Sequence, residues 1–376
     1  IDILKASKKL NLSENFEDVI FDMSVGYDLK GIQSDKVSKF IEGMLDCSKI
    51  IEFYRKKIPK KYKQFRDIEF KTKLSDTLTL STFHGCPPEE IEKIIDYLFR
   101  QYKLNCIVKL NPTLLGKEKV SELLYEVMGY KNIIVPKEAF ENDPTWKQAQ
   151  GFIERLGNTS KSFGLGFGVK FNNTLIVENN RDFFSKAEKV MYLSGTPLHV
   201  LGINLVKQFR EKFKDKYPIS FSAGIDKNNF ADAIALGLTP ITVCSDFLKV
   251  GGYSRSFFYF KELNSRMDKL SINDIDNYIL KAYGNEENAM NNLGIPPEKL
   301  KGINPYMDKE LSHLLISETK LLNTNTYLDQ VYNDIRYSFE KNSTPPRKVG
   351  STLELFDCLT CDKCIPVCPN DANFAL

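Results

Sequence analysis

Long apolar runs are missing from this chain. No stretch approaches the roughly 18 consecutive apolar residues of a membrane span, and no charged-then-apolar leader precedes a small-residue cleavage site. The sequence therefore predicts a cytoplasmic protein with no membrane partner. An excess of one charge sign is missing too, since 52 basic and 49 acidic residues leave a net charge of only +3. That balance excludes an extended nucleic-acid footprint, and the lysine-rich stretch 55–73 reads as a solvated helix end and loop. Histidine is scarce, with three in 376 residues, so any proton-transfer histidine has few candidates. A disulfide framework is absent despite eight cysteines. Cys47, Cys86, Cys106 and Cys244 are scattered, whereas the other four crowd into the segment 358–368, which points to metal in a reducing compartment. The chain opens on Ile1 and stops shortly after its last cysteine, so both ends read as cut.

What is present is an ordinary globular composition, 42% hydrophobic and 27% charged. Short β-rich runs alternate with helical patterns between about residues 18 and 250. The strand candidates are 19–24, 78–82, 106–110, 133–135, 165–171, 190–193, 219–222 and 241–244. Between them, apolar residues recur at helical spacing, as at Ile91, Ile94, Ile95 and Leu98, and again over 201–213. Strand, helix and strand in succession require right-handed crossovers and a parallel sheet. Eight candidates predict an α/β fold of the (β/α)8 TIM-barrel type, with a doubly wound open sheet as the structural alternative. Beyond residue 250 the pattern is mainly helical to residue 340. A polar, proline-containing linker over 341–350 then leads into a separate terminal segment, 351–376.

That segment places Cys358, Cys361, Cys364 and Cys368 in a C-x2-C-x2-C-x3-C-P run. The spacing is that of a bacterial ferredoxin [4Fe–4S] ligand set, in which three thiolates grip one cube and the fourth reaches another. Zinc sites more often show two separated C-x2-C pairs. Whether Cys368 ligates the same cube or a second one is left open by the sequence.

Three segments suit a phosphate-bearing cofactor such as FMN at a barrel's C-terminal mouth. The strand at 219–222 runs into Ser222, Ala223, Gly224 and Ile225, where small side chains let backbone N–H groups approach a phosphate. The segment 241–245, ending at Ser245, supplies the neighbouring loop, and the loops after the last two strands are the usual phosphate cradle. Lys109 followed by Asn111, and Lys170 followed by Asn173 and Thr174, each set a lysine near a strand end with an amide beyond it. A lysine beside a flavin's N1–O2 edge stabilises reduced isoalloxazine, and asparagine bonds ring or substrate heteroatoms. Cys86 and His84, in the loop Phe83-His84-Gly85-Cys86-Pro87, are candidate proton donors.

Taken together, the segments 80–88, 108–112, 191–198 and 222–225 resemble the flavin barrel of the dihydroorotate and dihydropyrimidine dehydrogenases. The segments 21–29, 80–88, 110–116 and 358–370 resemble, over essentially the whole chain, the YgfK-type proteins, labelled as selenate reductase subunits. The resemblance implies a barrel, a ferredoxin-type segment, and FAD and NAD(P)H on a further module outside this chain. It also implies one or two barrel strands upstream of Ile1, which would make some of the eight candidates insertions, 133–135 first among them. The family uses a single flavin lysine, and motif order favours Lys109. The expected activity is transfer of electrons from NAD(P)H through [4Fe–4S] clusters to a small reducible substrate, selenate or a purine- or pyrimidine-like heterocycle. The alternatives are an electron-transfer scaffold that docks a molybdenum enzyme or other redox partner, and a zinc-binding aldolase-like barrel.

Overall fold

The structure is a computed structural model and describes residues 2–7, 20–180, 189–249, 251–295 and 309–343. Cys358, Cys361, Cys364 and Cys368 lie outside the described residues, as does all but the start of the 341–350 linker.

Among the described residues seven strands form: β1 (Met23–Val25), β2 (Thr77–Ser81), β3 (Asn105–Leu110), β4 (Phe167–Phe171), β5 (Leu175–Glu178), β6 (Val190–Leu193) and β7 (Ile219–Phe221). Five of them make one parallel sheet in the order β1-β2-β3-β4-β7. A parallel bridge from Phe221 to Ile241 extends it by one more segment. Chain order and spatial order agree along the sheet, with none of the reversals that define a doubly wound fold. The order is that of an arc of a (β/α) barrel, and among the described residues β1 and the segment at Ile241 are its two edges.

The two faces of the arc differ. Leu78, Leu80, Cys106, Val108, Leu110, Val169, Phe171, Ile219 and Phe221 face outward into the apolar core. The helices Pro88–Tyr102, Trp146–Ser162 and Leu198–Phe213 bury their own apolar stripes in that same core. Edge-on ring pairs such as Phe99 with Phe167 and Phe171 with Phe209 lock the layers at 6.2 and 5.6 Å. On the inner face Thr79, Ser81, Lys109, Lys170 and Ser220 are polar, alongside Ile107 and Gly168. Helices thus cover one side only, as a barrel requires.

Three strand expectations change. Residues 133–135 form no strand, because the turn before them and Pro136 after them leave only one ladder-like bond, Glu178 N–H to the Ile134 carbonyl. Residues 190–193 are a strand, but β6 pairs antiparallel with β5 and stands outside the parallel sheet. Residues 241–244 shrink to the single bridge at Ile241, after which the chain turns away. Beyond the arc, the helices Ile275–Lys281, Glu286–Leu293 and Lys309–Tyr332 pack behind Leu198–Phe213, and Arg210 donates to Thr324 Oγ1 at 2.8 Å across that contact.

Candidate functional site

Parallel register sets Ser81, Lys109, Lys170 and Ser220 side by side near the strand ends. Both lysines expected from sequence therefore meet on the inner face. Lys170 is 9% exposed, and its Nζ donates to Thr242 Oγ1 at 2.7 Å. Burial pushes its ammonium down to about 8, the neighbouring charge of Lys109 adds to the effect, and Asp22 opposes it. Burial likewise lowers Lys109, partly offset by Cys244. Among the described residues no carboxylate forms an ion pair with either lysine. Two adjacent ammonium groups, one buried and one half-buried, neither in an ion pair among the described residues, suit an anionic ligand.

Beside them, side-chain amides tie the strand ends together. Asn173 Nδ2 donates to the Thr82 carbonyl at 2.9 Å and to Asn111 Oδ1 at 2.8 Å, while its Oδ1 accepts from Ser81 Oγ at 3.1 Å. Asn111 Nδ2 donates in turn to Asp143 Oδ2 at 3.0 Å. Asp143, which the sequence reading passed over, also accepts from Thr113 Oγ1 at 2.6 Å and from the Gly85 N–H at 2.6 Å. His84 Nδ1 lies 3.2 Å from the same carboxylate, and Nε2 lies 2.9 Å from the Thr174 carbonyl. Both neighbours are acceptors, so a ring protonated at both nitrogens satisfies both. Burial pushes the Asp143 carboxyl up, but the hydrogen bonds from His84, Gly85 and Thr113 outweigh it and hold the acid below its ordinary value.

Local sequence explains these placements. Thr145 and Gln148 form a capping box that starts the helix Trp146–Ser162 two residues after Asp143. That T-x-x-Q pattern was the available signal for the turn carrying Asp143. Pro87 and Pro88, with Glu89 and Glu90 in the first turn, start the helix Pro88–Tyr102 directly after the His84 loop. Asn111 and Asn173, expected as cofactor ligands, thus spend their amides on the protein. Asn172 is 1% exposed, and neither of its amide atoms has a partner among the described residues. It is the free amide of the Asn172-Asn173-Thr174 run.

Cys86 is 2% exposed, and burial, then the charges of Glu90, Asp143 and Asp28, push its thiol up to about 12. It does not line the mouth cavity. His84 and Thr174 do, with Ser81, Asn173, Tyr27, Phe40, Phe83 and Tyr192, around a volume of about 1160 Å³.

The turn at Ser222-Ala223-Gly224-Ile225 borders a second set of loops. Gly224 has φ +57, and a Cβ there would lie 2.8 Å from the Gly195 carbonyl oxygen. A Cβ on Gly195 would in turn lie 3.6 Å from Ser245 Oγ. The loops at 195, 224 and 245 therefore touch. Among the described residues the N–H groups of Ala223, Gly224 and Ile225 meet no acceptor. A cavity of about 310 Å³, lined by Ser194, Gly195, Thr196, Pro197 and Ser245, adjoins the large one at Tyr192 and Ser194. Lys109, Lys170 and residues 223–225 line neither cavity but neighbour residues that do, Ser81 beside Lys109 and Gly195 and Thr196 beside Gly224, a placement compatible with a flavin mononucleotide's ring and phosphate.

A family model described as "Oxidoreductase YgfK, N-terminal TIM-barrel domain" matches residues 1–293. The chain belongs to this family. It is 38% identical over 270 residues to the candidate oxidoreductase YgfK of Escherichia coli (strain K12), and the same values hold for the protein of Escherichia coli O157:H7. Those alignments cover 67% of this chain and 26% of either relative, so the YgfK barrel spans about a quarter of their length. A solved structure of a ligand-free DHODH from Eimeria tenella is similar with a TM-score of 0.35 and 15% identity, over 55% of each chain. The open arc described above is accordingly that of a YgfK TIM barrel. No helix among its described residues is long and apolar enough to cross a membrane.

Replacing Asp143 by alanine strands its donors in a buried site and is expected to remove about 3–5 kcal/mol of stability, read by urea denaturation. Its folded-state acid lies below the unfolded one, so the stabilisation is complete above about pH 4 and fades as pH falls through the folded value. The variant should lose that acid-side slope, and an unchanged slope would count against the network. Lys170→Met should act in the opposite direction. Lys170 titrates near 8 when folded and at 10.5 ordinarily, so the unfolded chain binds more protons between those values and stability rises with pH across them. The variant should exceed the parent by on the order of 3 kcal/mol at pH 7, with the gap closing by about pH 10.5. A gap independent of pH would sink the assignment.

Proposed function

We propose that the YgfK barrel binds FMN at this mouth and forms part of an iron–sulfur flavin oxidoreductase. The observation that carries the reading is the pairing of three touching loops, one with N–H groups that meet no acceptor, with two adjoining lysines that form no ion pair with a carboxylate, both among the described residues. Ala223, Gly224, Ile225, Gly195 and Ser245 would hold the phosphate, and Lys109 and Lys170 would face the electron-rich edge of the ring. When bound, the flavin supplies interconversion of single electrons and hydride equivalents. The chain's own contribution is positional and electrostatic. The two ammonium groups favour negative charge, and Asn173, Asn111 and Asp143 hold the strand ends around it.

Of the two expected proton donors, His84 lines the cavity and buried Cys86 does not, so proton delivery at this mouth would fall to His84 once its bond to the Thr174 carbonyl opens. The exposed rings of Tyr27, Phe83 and Tyr192 favour a planar, anionic heterocycle over selenate as the reducible substrate. Cys358, Cys361, Cys364 and Cys368 would bind the [4Fe–4S] cluster by their spacing, with NAD(P)H and FAD on a module outside this chain.

Anaerobically purified protein, incubated with FMN, should retain about one equivalent absorbing near 450 nm. Gly224→Asp places charge and bulk against the Gly195 carbonyl and should abolish that retention. Iron and sulfide without retained FMN would overturn the flavin reading in favour of an electron-transfer scaffold. Cys361→Ser should lose the broad brown absorbance and most of the iron, and unchanged iron would remove the cysteine run from the cluster.

A further inference from the structure

His199 takes no part in the chemistry above, yet it is fully buried directly beneath the 222–225 turn. Its Nδ1 lies 2.8 Å from the Ala223 carbonyl oxygen and its Nε2 lies 2.8 Å from Tyr327 Oη. A carbonyl only accepts, so Nδ1 carries the proton and Nε2 accepts from the tyrosine. Burial pushes the imidazole down to about 4, which keeps it neutral in this tautomer at neutral pH. Tyr337 stacks on the ring at 5.0 Å with planes 8° apart and fixes its tilt.

Asn229 holds the same turn from the same side, its Nδ2 lying 3.5 Å from His199 Nδ1. Its Nδ2 donates to the Gly224 carbonyl at 3.0 Å and to Tyr337 Oη at 3.2 Å. Its Oδ1 accepts from the Asp226 N–H at 2.8 Å, which fixes the orientation of the amide. Two successive carbonyls are therefore pinned inward. In a trans peptide the C=O and the following N–H point in opposite directions, and the peptides after Ala223 and Gly224 are trans. Pinning the Ala223 oxygen turns the Gly224 N–H away from His199, and pinning the Gly224 oxygen does the same for the Ile225 N–H. Those are among the N–H groups that meet no acceptor in the described residues.

We propose that His199 and Asn229 are positioning residues that aim the Gly224 and Ile225 N–H groups at a phosphate. The identity of that phosphate as the one on FMN rests on the flavin reading above. Neither residue touches the ligand, and each acts through the peptide plane it holds. Tyr327 and Tyr337, from the helical region after the barrel, set the tautomer and tilt that this requires.

The test compares FMN with riboflavin, which lacks the phosphate, on the full 376-residue chain. In the parent protein FMN should bind far more tightly than riboflavin. His199→Leu and Asn229→Leu should each lower the FMN-to-riboflavin affinity ratio about tenfold or more, the worth of one charge-assisted hydrogen bond, with riboflavin affinity unchanged. His199→Gln can still donate to the Ala223 carbonyl and should recover most of the ratio. A variant that weakens both flavins equally, or neither, overturns the proposal. Should the leucine variants fail to fold, Tyr327→Phe serves instead. It should lower the ratio by a smaller factor, with ¹⁵N imidazole signals of both tautomers in the unliganded protein, and a single unchanged tautomer with an unchanged ratio would refute the coupling. A parent protein that binds neither flavin refutes the flavin reading alone. In that case ³¹P detection of inorganic phosphate bound by the parent and lost in His199→Leu sustains the positioning role, and no phosphate binding by the parent removes it.

Discussion

The carboxylate of Asp143 is the point from which the mouth of this barrel is hung. It receives donors from His84 and Gly85 in the loop after β2, and from Asn111 and Thr113 in the loop after β3. A buried carboxylate is tolerable only when its lone pairs are filled, and the surrounding donors are tolerable only while the carboxylate is there. That mutual dependence fixes both loops at once. Through Asn111 it reaches Asn173, whose amide spans the ends of β2, β3 and β4. The arc can thus keep a defined rim on this side although its edge strand β1 pairs on one side only among the described residues.

Against that satisfied network stand groups that are not satisfied. Lys109 and Lys170 repel one another in a partly dehydrated site, and Asn172 buries an amide with no partner among the described residues. Each arrangement opposes folding by an amount comparable to a sizeable fraction of a domain's net stability. Departures from local consistency of this kind concentrate where a ligand supplies the missing partner. The satisfied side chains form the scaffold of the rim, and the unsatisfied ones are where the proposed ligand would find partners. Asn111 and Asn173, expected from residue type as cofactor ligands, belong to the hydrogen-bonded set.

Short β-rich runs between helical patterns made β2, β3, β4 and β7 legible in the sequence, because parallel barrel strands carry dense apolar residues on their outer faces. The same signal misread 133–135, where a β-rich tripeptide lies between a turn and a proline, and it missed β5, whose four residues follow β4 almost without a break. Neither direction nor partner is encoded locally, so β6 was found and assigned to the wrong sheet. Asp143 was illegible for a different reason. Its partners lie 30 to 59 residues away, and nothing in the run Asn142-Asp143-Pro144 separates a buried acceptor from a solvated turn. Glycine and small residues at 222–225 announced a tight turn, the one proposed for the phosphate, but nothing local announced what would hold it.

His199 and Asn229 hold it from within the βα repeats, but what fixes His199 comes from outside them. The family match ends at residue 293, yet Tyr327 and Tyr337, beyond that limit, fix the ring of His199 under the turn. The long helix Lys309–Tyr332 also accepts the buried guanidinium of Arg210, donated to the Lys320 carbonyl and to Thr324 Oγ1, so its attachment to the helix Leu198–Phe213 is polar as well as apolar. Polar groups buried at such a seam make detachment costly, because each leaves donors without acceptors. The turn at 222–225 is therefore shaped in part by the helical region that follows the barrel, whereas the rim around Asp143 is shaped by the barrel's own loops. A displacement of the 309–337 region would be felt at that turn first and at the lysines second, since only the former depends on a ring whose two nitrogens are spoken for from opposite sides of that seam.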